Sequence, residues 1–192
     1  VTLLAIDGVG NKTNEYTDII QDQCNMMEFG SVVFLTADSN FDGDGEIDVR
    51  HIAKMNYHQF NEFLCVGLSE YVNTEHVLYI QEDGFVVDSN KWREDFLEYD
   101  YIGSPWIREG KLIDFCGGDV ENVVGCGGFS IRSKKFLELA SMTGYSSGIA
   151  SQGLNEDVFL CNKRFAGGFM RDNGIKFAPL EVANKFASEE EI

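Results

Sequence analysis

The sequence predicts a single α/β domain with a mostly parallel central sheet flanked by helices. Short apolar runs rich in β-branched residues alternate with stretches of helical periodicity, in the order strand, helix, strand, short strand, helix, strand. This alternation is typical of a parallel, doubly wound sheet. The length of 192 residues suffices for one domain with a full core, and neither an internal repeat nor a linker divides the sequence.

The first half of the sequence carries the elements that define this order. Apolar runs predict buried strands, and apolar residues at helical spacing predict two helices. The predicted strands are 1–6, 31–36, 49–53 and 77–80, and the predicted helices are 13–29 and 57–72. Thr13 or Asn14 is expected to cap the first helix.

The second half is expected to complete the domain with shorter elements. Asn155 is a good N-cap residue, and the two acids that follow it favour the first turn of a helix. The predicted elements are helices at 91–99, 133–142 and 155–163, a strand at 129–131, and a strand with an extended segment over 176–186.

The balance of charge limits the partners of this protein. With 32 acidic and 15 basic residues, the formal net charge is -17. A surface this acidic repels phosphate backbones and anionic membranes, which argues against nucleic-acid binding through a basic face. A phosphorylated small molecule is still compatible with the composition, provided that a metal ion or a few cations lie in its pocket.

Cysteine usage and apolar runs indicate a cytoplasmic protein. The five cysteines are odd in number and scattered, so they predict neither a disulfide framework nor a zinc site. Reduced thiols are the simplest interpretation. No apolar run approaches the length of a membrane span, and the sequence starts with a strand-like run that lacks the charged flank of a signal peptide.

An acidic loop at 40–48 offers one interpretation outside catalysis. It matches the first nine positions of an EF-hand calcium loop, with Gly45 at the sixth. The twelfth position, which needs a bidentate glutamate, is His51, and a strand rather than a helix precedes the loop. A calcium-binding interaction module using Asp42, Asp44 and Asp48 is therefore an alternative function. A solvated acidic loop, or a loop over an active site, explains the same residues.

Three segments that carry polar groups or glycines follow one another in a fixed order. Gln81-Glu82-Asp83-Gly84-Phe85-Val86 comes directly after a predicted strand. A glycine-rich segment, Val124-Gly125-Cys126-Gly127-Gly128-Phe129-Ser130-Ile131-Arg132-Ser133, comes about 40 residues later. The third segment is Asn155-Glu156-Asp157-Val158-Phe159-Leu160. Acids at the carboxyl end of a strand lie where open α/β sheets bind ligands.

In this order of segments the sequence resembles the nucleotide-sugar glycosyltransferases of the GT-A fold, which is Rossmann-related. It is most similar to an uncharacterised GT-A-like family with Gln-x-Asp-Gly-Phe and Gly-Gly-Phe-Ser-x-Arg motifs. Tyr99-Asp100-Tyr101-Ile102-Gly103-Ser104-Pro105-Trp106 matches a further pattern of that family. The resemblance covers most of the chain and implies one GT-A-like domain over 1–192, with a nucleotide-binding half at about 1–88 and an acceptor half at about 89–192.

The activity that the resemblance implies is metal-dependent transfer of a hexose-type sugar from a nucleoside-diphosphate sugar, with UDP as the expected nucleotide, to a hydroxyl of a glycan acceptor. Mn²⁺ or Mg²⁺ would neutralise the diphosphate leaving group in a chain poor in cations. Many GT-A enzymes complete the metal shell with a histidine near the C-terminus, and none follows His76 here. We therefore expect additional domains C-terminal to this chain.

On the donor side, the resemblance implies that Asp83 is the metal ligand and that Gln81 contacts the ribose. Because Gln81 replaces an aspartate and adds no charge, a GT-A fold that binds nucleotide sugar without turnover is a further alternative. Asp7 and Asp38, which end the first two strands, are placed to contact the base and ribose, although Asp7 equally suits a loop cap. Arg50 is a candidate partner of the base or phosphates, or a solvated surface cation.

On the acceptor side, Asp157 is the candidate catalytic base and Glu156 is expected to bind sugar hydroxyls. Helix capping explains both acids equally well. Gly127 and Gly128 would let the backbone approach the donor sugar closely, or form a tight turn. Trp106 is the candidate platform for an acceptor sugar, although a tryptophan after a proline is equally expected in a core.

Overall fold

A six-stranded mixed sheet forms the centre of the fold. The computed structural model describes residues 1–43, 45–108, 111–112 and 124–187. Its strands are β1 (Thr2–Asp7), β2 (Ser31–Thr36), β3 (Asp48–His51), β4 (His76–Ile80), β5 (Tyr101–Pro105), β6 (Ile107–Arg108), β7 (Lys111–Leu112) and β8 (Val124–Ser133). The sheet has the order β3-β2-β1-β4-β8-β5, while β6 and β7 pair separately. The pairs β3-β2, β2-β1 and β1-β4 are parallel, and β8 is antiparallel to β4 and β5. The predicted α/β class with a mostly parallel sheet is confirmed.

Helices flank the sheet and differ from the prediction mainly near the C-terminus. They are α1 (Thr13–Met26), α2 (Tyr57–Val66), α3 (Lys134–Ser141), α4 (Ser147–Ala150), α5 (Glu156–Cys161), α6 (Ala166–Asp172) and α7 (Leu180–Phe186). The predicted helix over 91–99 is instead a pair of short 3₁₀ helices, Ser89–Lys91 and Glu94–Glu98. None of the helices in the described ranges combines the length and the apolar character that a bilayer span requires.

The prediction of an extended segment over 176–186 is wrong, because α7 begins directly after Pro179. Pro179 is the N-cap residue of α7, where its missing N–H leaves no donor without a partner, and Ala183 is buried one turn later. Helix α6 was not predicted at all, since two glycines near its start weaken the helical pattern. Packing requires one of them: a Cβ on Gly167 would lie 2.5 Å from the Cys161 carbonyl oxygen.

The sheet is buried on both faces, as a parallel sheet between helices should be. Alternate residues of β1 belong to different cores: Leu4 and Ile6 face one cluster, and Leu3 and Ala5 face the other. The first cluster includes buried residues of α2, α3, α5 and α6. The second includes residues of α1 and, at its margin, α7.

The strand order reverses between β1 and β4. From β1 the chain proceeds through α1 to β2 on one side, whereas β4 pairs with the other side of β1. In open α/β sheets the crevice outside the carboxyl ends of two such strands is the usual ligand site. The residues that follow Asp7 of β1 and Ile80 of β4 therefore define the edge at which a site is expected.

Asp7 holds the loop between β1 and α1. Its Oδ1 accepts hydrogen bonds from the backbone N–H groups of Val9 (3.2 Å) and Gly10 (2.8 Å). Its Oδ2 accepts from the Lys12 N–H (2.9 Å) and the Thr13 hydroxyl (3.2 Å). The expected N-cap at Thr13 or Asn14 is thus replaced by a carboxylate from the preceding strand. Of the two roles expected for Asp7, the structure shows the loop cap. Its expected contact with the nucleotide stays a prediction.

Replacing Asp7 by alanine should destabilise the protein by about 3 kcal/mol, because three backbone amides and the buried Thr13 hydroxyl lose their acceptor at once. Urea unfolding followed by circular dichroism measures the change. Asp38→Ala is the control, since Oδ1 of Asp38 accepts one hydrogen bond, from the exposed Asn40 N–H (3.0 Å). We expect a loss below about 1 kcal/mol for this control. Equal losses in the two variants would contradict the capping role.

Candidate active site

A cavity of about 1610 Å³ opens at the carboxyl end of β4. Among the parts of the chain that line it are the turn Gln81–Gly84, the glycines of β8, and the start of α5. These are the three segments whose order carried the resemblance to GT-A enzymes. The predicted site residues on its wall are Gln81, Asp83, Gly127, Gly128, Glu156 and Asp157.

The turn after β4 is closed by its own backbone and by β8. Gln81 and Gly84 exchange two backbone hydrogen bonds, of 3.0 and 3.1 Å. A Cβ on Gly84 would lie 3.0 Å from the Cβ of Phe129, so the turn packs directly on β8. The Gln81 amide donates to the Tyr79 hydroxyl (2.9 Å), and its Oε1 lies 2.7 Å from where a Cβ on Gly128 would be. Gln81 is therefore held in place before any ligand binds.

The two acids of this turn have different environments. Glu82 forms an ion pair with Lys12 and accepts a hydrogen bond from the Tyr16 hydroxyl (2.8 Å), which ties the turn to α1. Partial burial opposes ionisation, but the hydrogen bonds from Lys12 and Tyr16 outweigh it and lower the pKa of Glu82. Asp83 is exposed, lines the cavity and has no hydrogen-bond partner in the described part of the chain. Asp83 is thus the acid of this turn that is available to a ligand.

The residues at this edge suit a weakly held cation. Within the described ranges, no group of three or more His, Cys, Asp or Glu side chains is arranged to hold a metal ion. An exposed carboxylate such as Asp83 fits a hard cation that takes its other ligands from water and substrate phosphates. A metal would depend on the nucleotide for much of its coordination.

Glu156 is buried at the start of α5, against β8. Its backbone N–H donates to Oδ1 of Asn61 in α2 (3.0 Å), so α2 supplies the cap that Asn155 was expected to give. Its Oε1 lies 3.3 Å from Nη2 of Arg132. A Cβ on Gly127 would lie 2.7 Å from the same Oε1. The packing of Glu156 therefore favours glycine at this position, and the expected approach to a donor sugar stays a prediction.

Asp157 lies on the cavity wall with both oxygens engaged. Oδ1 accepts from the Val158 N–H (2.7 Å), and Oδ2 accepts from the Gly127 N–H (3.3 Å). The Trp106 side chain forms a further hydrogen bond to Asp157. Trp106 is only 5% exposed and packs beside Gly125. The prediction that Trp106 offers its face to an acceptor sugar is wrong, because the ring is buried and its side chain is hydrogen-bonded to Asp157.

Arg132 was given no role by the sequence interpretation, yet it connects the parts of this site. The guanidinium is buried and lies 5.3 Å from the Tyr79 ring and 5.8 Å from the Tyr101 ring. Nε donates to the Ser130 hydroxyl (3.1 Å), and Nη2 donates to the Gly127 carbonyl (3.2 Å) and to Glu156. Its only sequence signal was its place in the Gly-Gly-Phe-Ser-x-Arg motif.

Burial changes the acidity of both acids at the start of α5. Desolvation and repulsion from Asp157 raise the pKa of Glu156, while Arg132 opposes the shift. Desolvation also raises the pKa of Asp157, against the hydrogen bonds from Val158 and Gly127. Two adjacent carboxyl groups beside one guanidinium can bind a proton near neutral pH, which suits groups that transfer protons.

The remaining predicted contacts lie away from this cavity. Asp38 follows β2 and accepts a hydrogen bond from its own loop. Arg50 forms an ion pair with Asp48 (2.6 Å) on β3, at the far edge of the sheet. Asp7, Asp38 and Arg50 are absent from the described cavity wall. Their predicted contacts with a nucleotide would therefore require a ligand that extends beyond the cavity.

In the described part of the chain, the acidic loop at 40–48 shows little of the ligand arrangement that a calcium site needs. Asp48 is paired with Arg50, so one expected ligand already has a cationic partner. Asp44 lies outside the described residues. The calcium-binding alternative stays a prediction, and no observed arrangement favours it.

Residues 51–192 match the family described as Protein of unknown function (DUF5672). The chain belongs to this family. No curated protein matches the sequence.

Two solved structures are distantly similar to this chain. The bifunctional IspDF from Campylobacter jejuni is 11% identical with a TM-score of 0.47; the match covers 79% of this chain and 47% of that one. This chain thus spans about half the length of IspDF. A nucleotidyl transferase from Methanothermobacter thermautotroptrophicus (Mth528) is 10% identical with a TM-score of 0.46, over 93% of this chain and 85% of that one. Similarities this distant carry no argument about activity.

The Glu156→Gln variant should change how stability depends on pH. Because the pKa of Glu156 is raised in the folded state, this state keeps a proton that the unfolded chain releases above the ordinary carboxyl pKa. The contribution of Glu156 to stability therefore falls as pH rises from there to the raised pKa. We expect the stability of Glu156→Gln relative to the native protein to increase over that window, by at most about 1.4 kcal/mol per pH unit.

Urea unfolding at a series of pH values measures this difference. Glu138→Gln, at an exposed position of α3, is the control and should follow the native curve at a constant offset. Parallel curves for Glu156→Gln and the native protein would show that Glu156 titrates normally.

Proposed function

We propose that this chain is the catalytic domain of a metal-dependent glycosyltransferase of the GT-A type. It would transfer a hexose-type sugar from a nucleoside-diphosphate sugar, with UDP as the expected nucleotide, to a hydroxyl of a glycan acceptor. The main support is that the Asp83 turn, the Gly127-Gly128 strand and the Glu156-Asp157 pair share one cavity at the carboxyl edge of the sheet. Donor groups would come mainly from 1–88 and acceptor groups from 89–192.

On the donor side, the chemistry needs a positive charge next to the leaving diphosphate. The amides of Val9, Gly10 and Lys12, which lead into α1, are already bound to Asp7, so they are not available to a diphosphate. Asp83 would hold Mn²⁺ or Mg²⁺, and the bound cation would stabilise the charge that develops on the leaving diphosphate. Gln81, fixed by Tyr79, would hydrogen-bond a ribose hydroxyl.

On the acceptor side, Asp157 would act as the general base of a single displacement. The acceptor oxygen attacks the anomeric carbon, the bond from that carbon to the phosphate oxygen breaks with its electrons on the phosphate, and Asp157 takes the hydroxyl proton. The hydrogen bonds from Trp106 and Gly127 fix the orientation of Asp157. Its raised pKa makes it a stronger base than a solvated carboxylate.

The strand β8 sets the distance between these two sides. Gly128 lies against Gln81, and the next residue back, Gly127, lies against Glu156 and Asp157. A side chain at either glycine would separate the donor turn from the acceptor acids. The proposed reaction requires both substrates within bonding distance, so the absence of side chains here has a functional reason as well as a structural one.

The Asp83→Ala variant tests the donor side. We expect the native protein to bind UDP in the presence of Mn²⁺, and binding to weaken more than tenfold when Mn²⁺ is withheld or Asp83 is replaced, because the diphosphate then meets an acidic site without its cation. Isothermal titration calorimetry measures both effects. Asp172→Ala, at an exposed position outside the described cavity wall, should bind like the native protein. A UDP affinity that is the same with and without Mn²⁺, and the same in Asp83→Ala as in the native protein, would contradict the proposal.

The Asp157→Asn variant separates catalysis from binding. Loss of a general base costs about 10²- to 10⁴-fold in rate, whereas UDP affinity should change little because Asp157 would contact the acceptor. Release of UDP from a panel of UDP-hexoses, with simple glycosides as acceptors, measures the rate. A native protein that binds UDP and Mn²⁺ but releases no UDP with any donor would be a nucleotide-sugar binding protein without turnover.

A further inference from the structure

One face of helix α2 forms a wall of the cavity. Tyr57, Phe60, Asn61 and Leu64 line it at the spacing of a single helical face. Leu64 is buried, and Phe60 packs over the end of β1, because a Cβ on Gly8 would lie 2.9 Å from its ring. Tyr57, at the first position of the helix, remains 60% exposed. The wall is thus apolar at its base and presents an open aromatic ring at the mouth.

The Tyr57 ring is fixed although it is exposed. Its hydroxyl donates to Oδ1 of Asn155 (2.9 Å), and its edge contacts the His58 ring at 5.7 Å between centroids. The first turn of α2 is held by a reciprocal capping box between Asn56 and Gln59. Anchored at both its backbone and its hydroxyl, the ring needs no ordering when a ligand covers it, which reduces the entropic cost of binding.

Polar groups suited to hydroxyls lie next to this ring. Asn155 uses Oδ1 to accept from Tyr57, and its amide N–H groups have no partner in the described residues. Glu156 and Asp157 follow directly and line the same cavity. An amide donor and carboxylate acceptors therefore stand beside an open aromatic face.

We infer that Tyr57 is the platform on which a pyranose ring of the acceptor glycan rests, with Asn155 binding one of its hydroxyls. The inference rests on the proposed function and refines its acceptor side. A pyranose has an apolar face of C–H groups and a rim of hydroxyls, so it matches an aromatic face bordered by donors and acceptors. Tyr57 takes the role expected of Trp106, whose ring is buried.

A nucleobase also stacks on aromatic rings, but the charges here favour a neutral sugar. A nucleotide stacked on Tyr57 would bring its phosphates towards Asp157, and the carboxylate that the proposed base needs would repel them. A neutral glycoside meets no such repulsion. The donor nucleotide therefore belongs at the Asp83 turn, and Tyr57 belongs to the acceptor.

Tyrosine-ring NMR on the intact protein tests this assignment. The probes are methyl α- and β-glycosides of glucose, galactose, mannose and N-acetylglucosamine at millimolar concentration. Uridine is the comparison ligand, which tests whether a nucleobase stacks on the same ring. Signals of Tyr57 are identified by their loss in Tyr57→Phe. We expect at least one glycoside to shift them and uridine to leave them unchanged.

Affinities from the same titrations, read from the ligand signals, define the contribution of the ring. Tyr57→Ala should weaken glycoside binding about tenfold, as for the loss of one aromatic contact. Tyr57→Phe keeps the ring and should weaken binding less than about threefold. Phe169→Ala removes a comparably exposed aromatic outside the described cavity wall and should have no effect.

The outcomes separate this inference from the proposed function. If no glycoside shifts Tyr57, if uridine shifts it, or if Tyr57→Ala binds like the native protein, the platform is overturned even when UDP and Mn²⁺ bind as proposed. If a glycoside shifts Tyr57 but UDP does not bind with Mn²⁺, the platform stands as a sugar-binding surface and the transferase proposal fails.

Discussion

The structure depends on one buried ion pair, Arg132 with Glu156. A charge inside a protein is tolerated only when it has a counter-charge and hydrogen bonds, and removing one partner leaves the other uncompensated. Here the guanidinium lies between two tyrosine rings, bonds the Gly127 carbonyl and faces Glu156. The pair therefore fixes β8, the antiparallel strand of the six-stranded sheet, to the start of α5 and makes their relative position difficult to change.

Every part of the candidate site is arranged around that junction. Gly127 is a glycine because the ion pair occupies the space of its side chain, and its N–H is then free to orient Asp157. One residue further along, Gly128 gives the same close contact to Gln81 and the donor turn. Two elements far apart in the sequence, the turn after β4 and the helix after residue 155, thus share a support. The glycines serve the packing of the protein first, and the cavity is the result.

Local patterns in the sequence were enough for the strands of the parallel half and for the three segments that line the cavity. The direction of strand pairing could not be predicted from local patterns, because the residues of β8 do not indicate that it is antiparallel to β4. The role of Arg132 depends on which side chains meet across the sheet, and a strand pattern does not contain that. Trp106 and Asp7 were assigned to ligands because polar or aromatic groups near strand ends look alike, whether they contact a ligand or the protein itself. Only their hydrogen bonds distinguish the two.

The carboxylate of Asp7 has a consequence for how a nucleotide is recruited. Many α/β proteins attract phosphate with the partial positive charge of the first helix. In this chain the amides that lead into that helix are already hydrogen-bonded to the side chain of Asp7. Under the proposed function, the cation and the nucleotide would then have to raise each other's affinity, since binding linkage is reciprocal. Such a domain would respond to the product of two concentrations, and the supply of divalent metal would regulate its occupancy as strongly as the supply of donor.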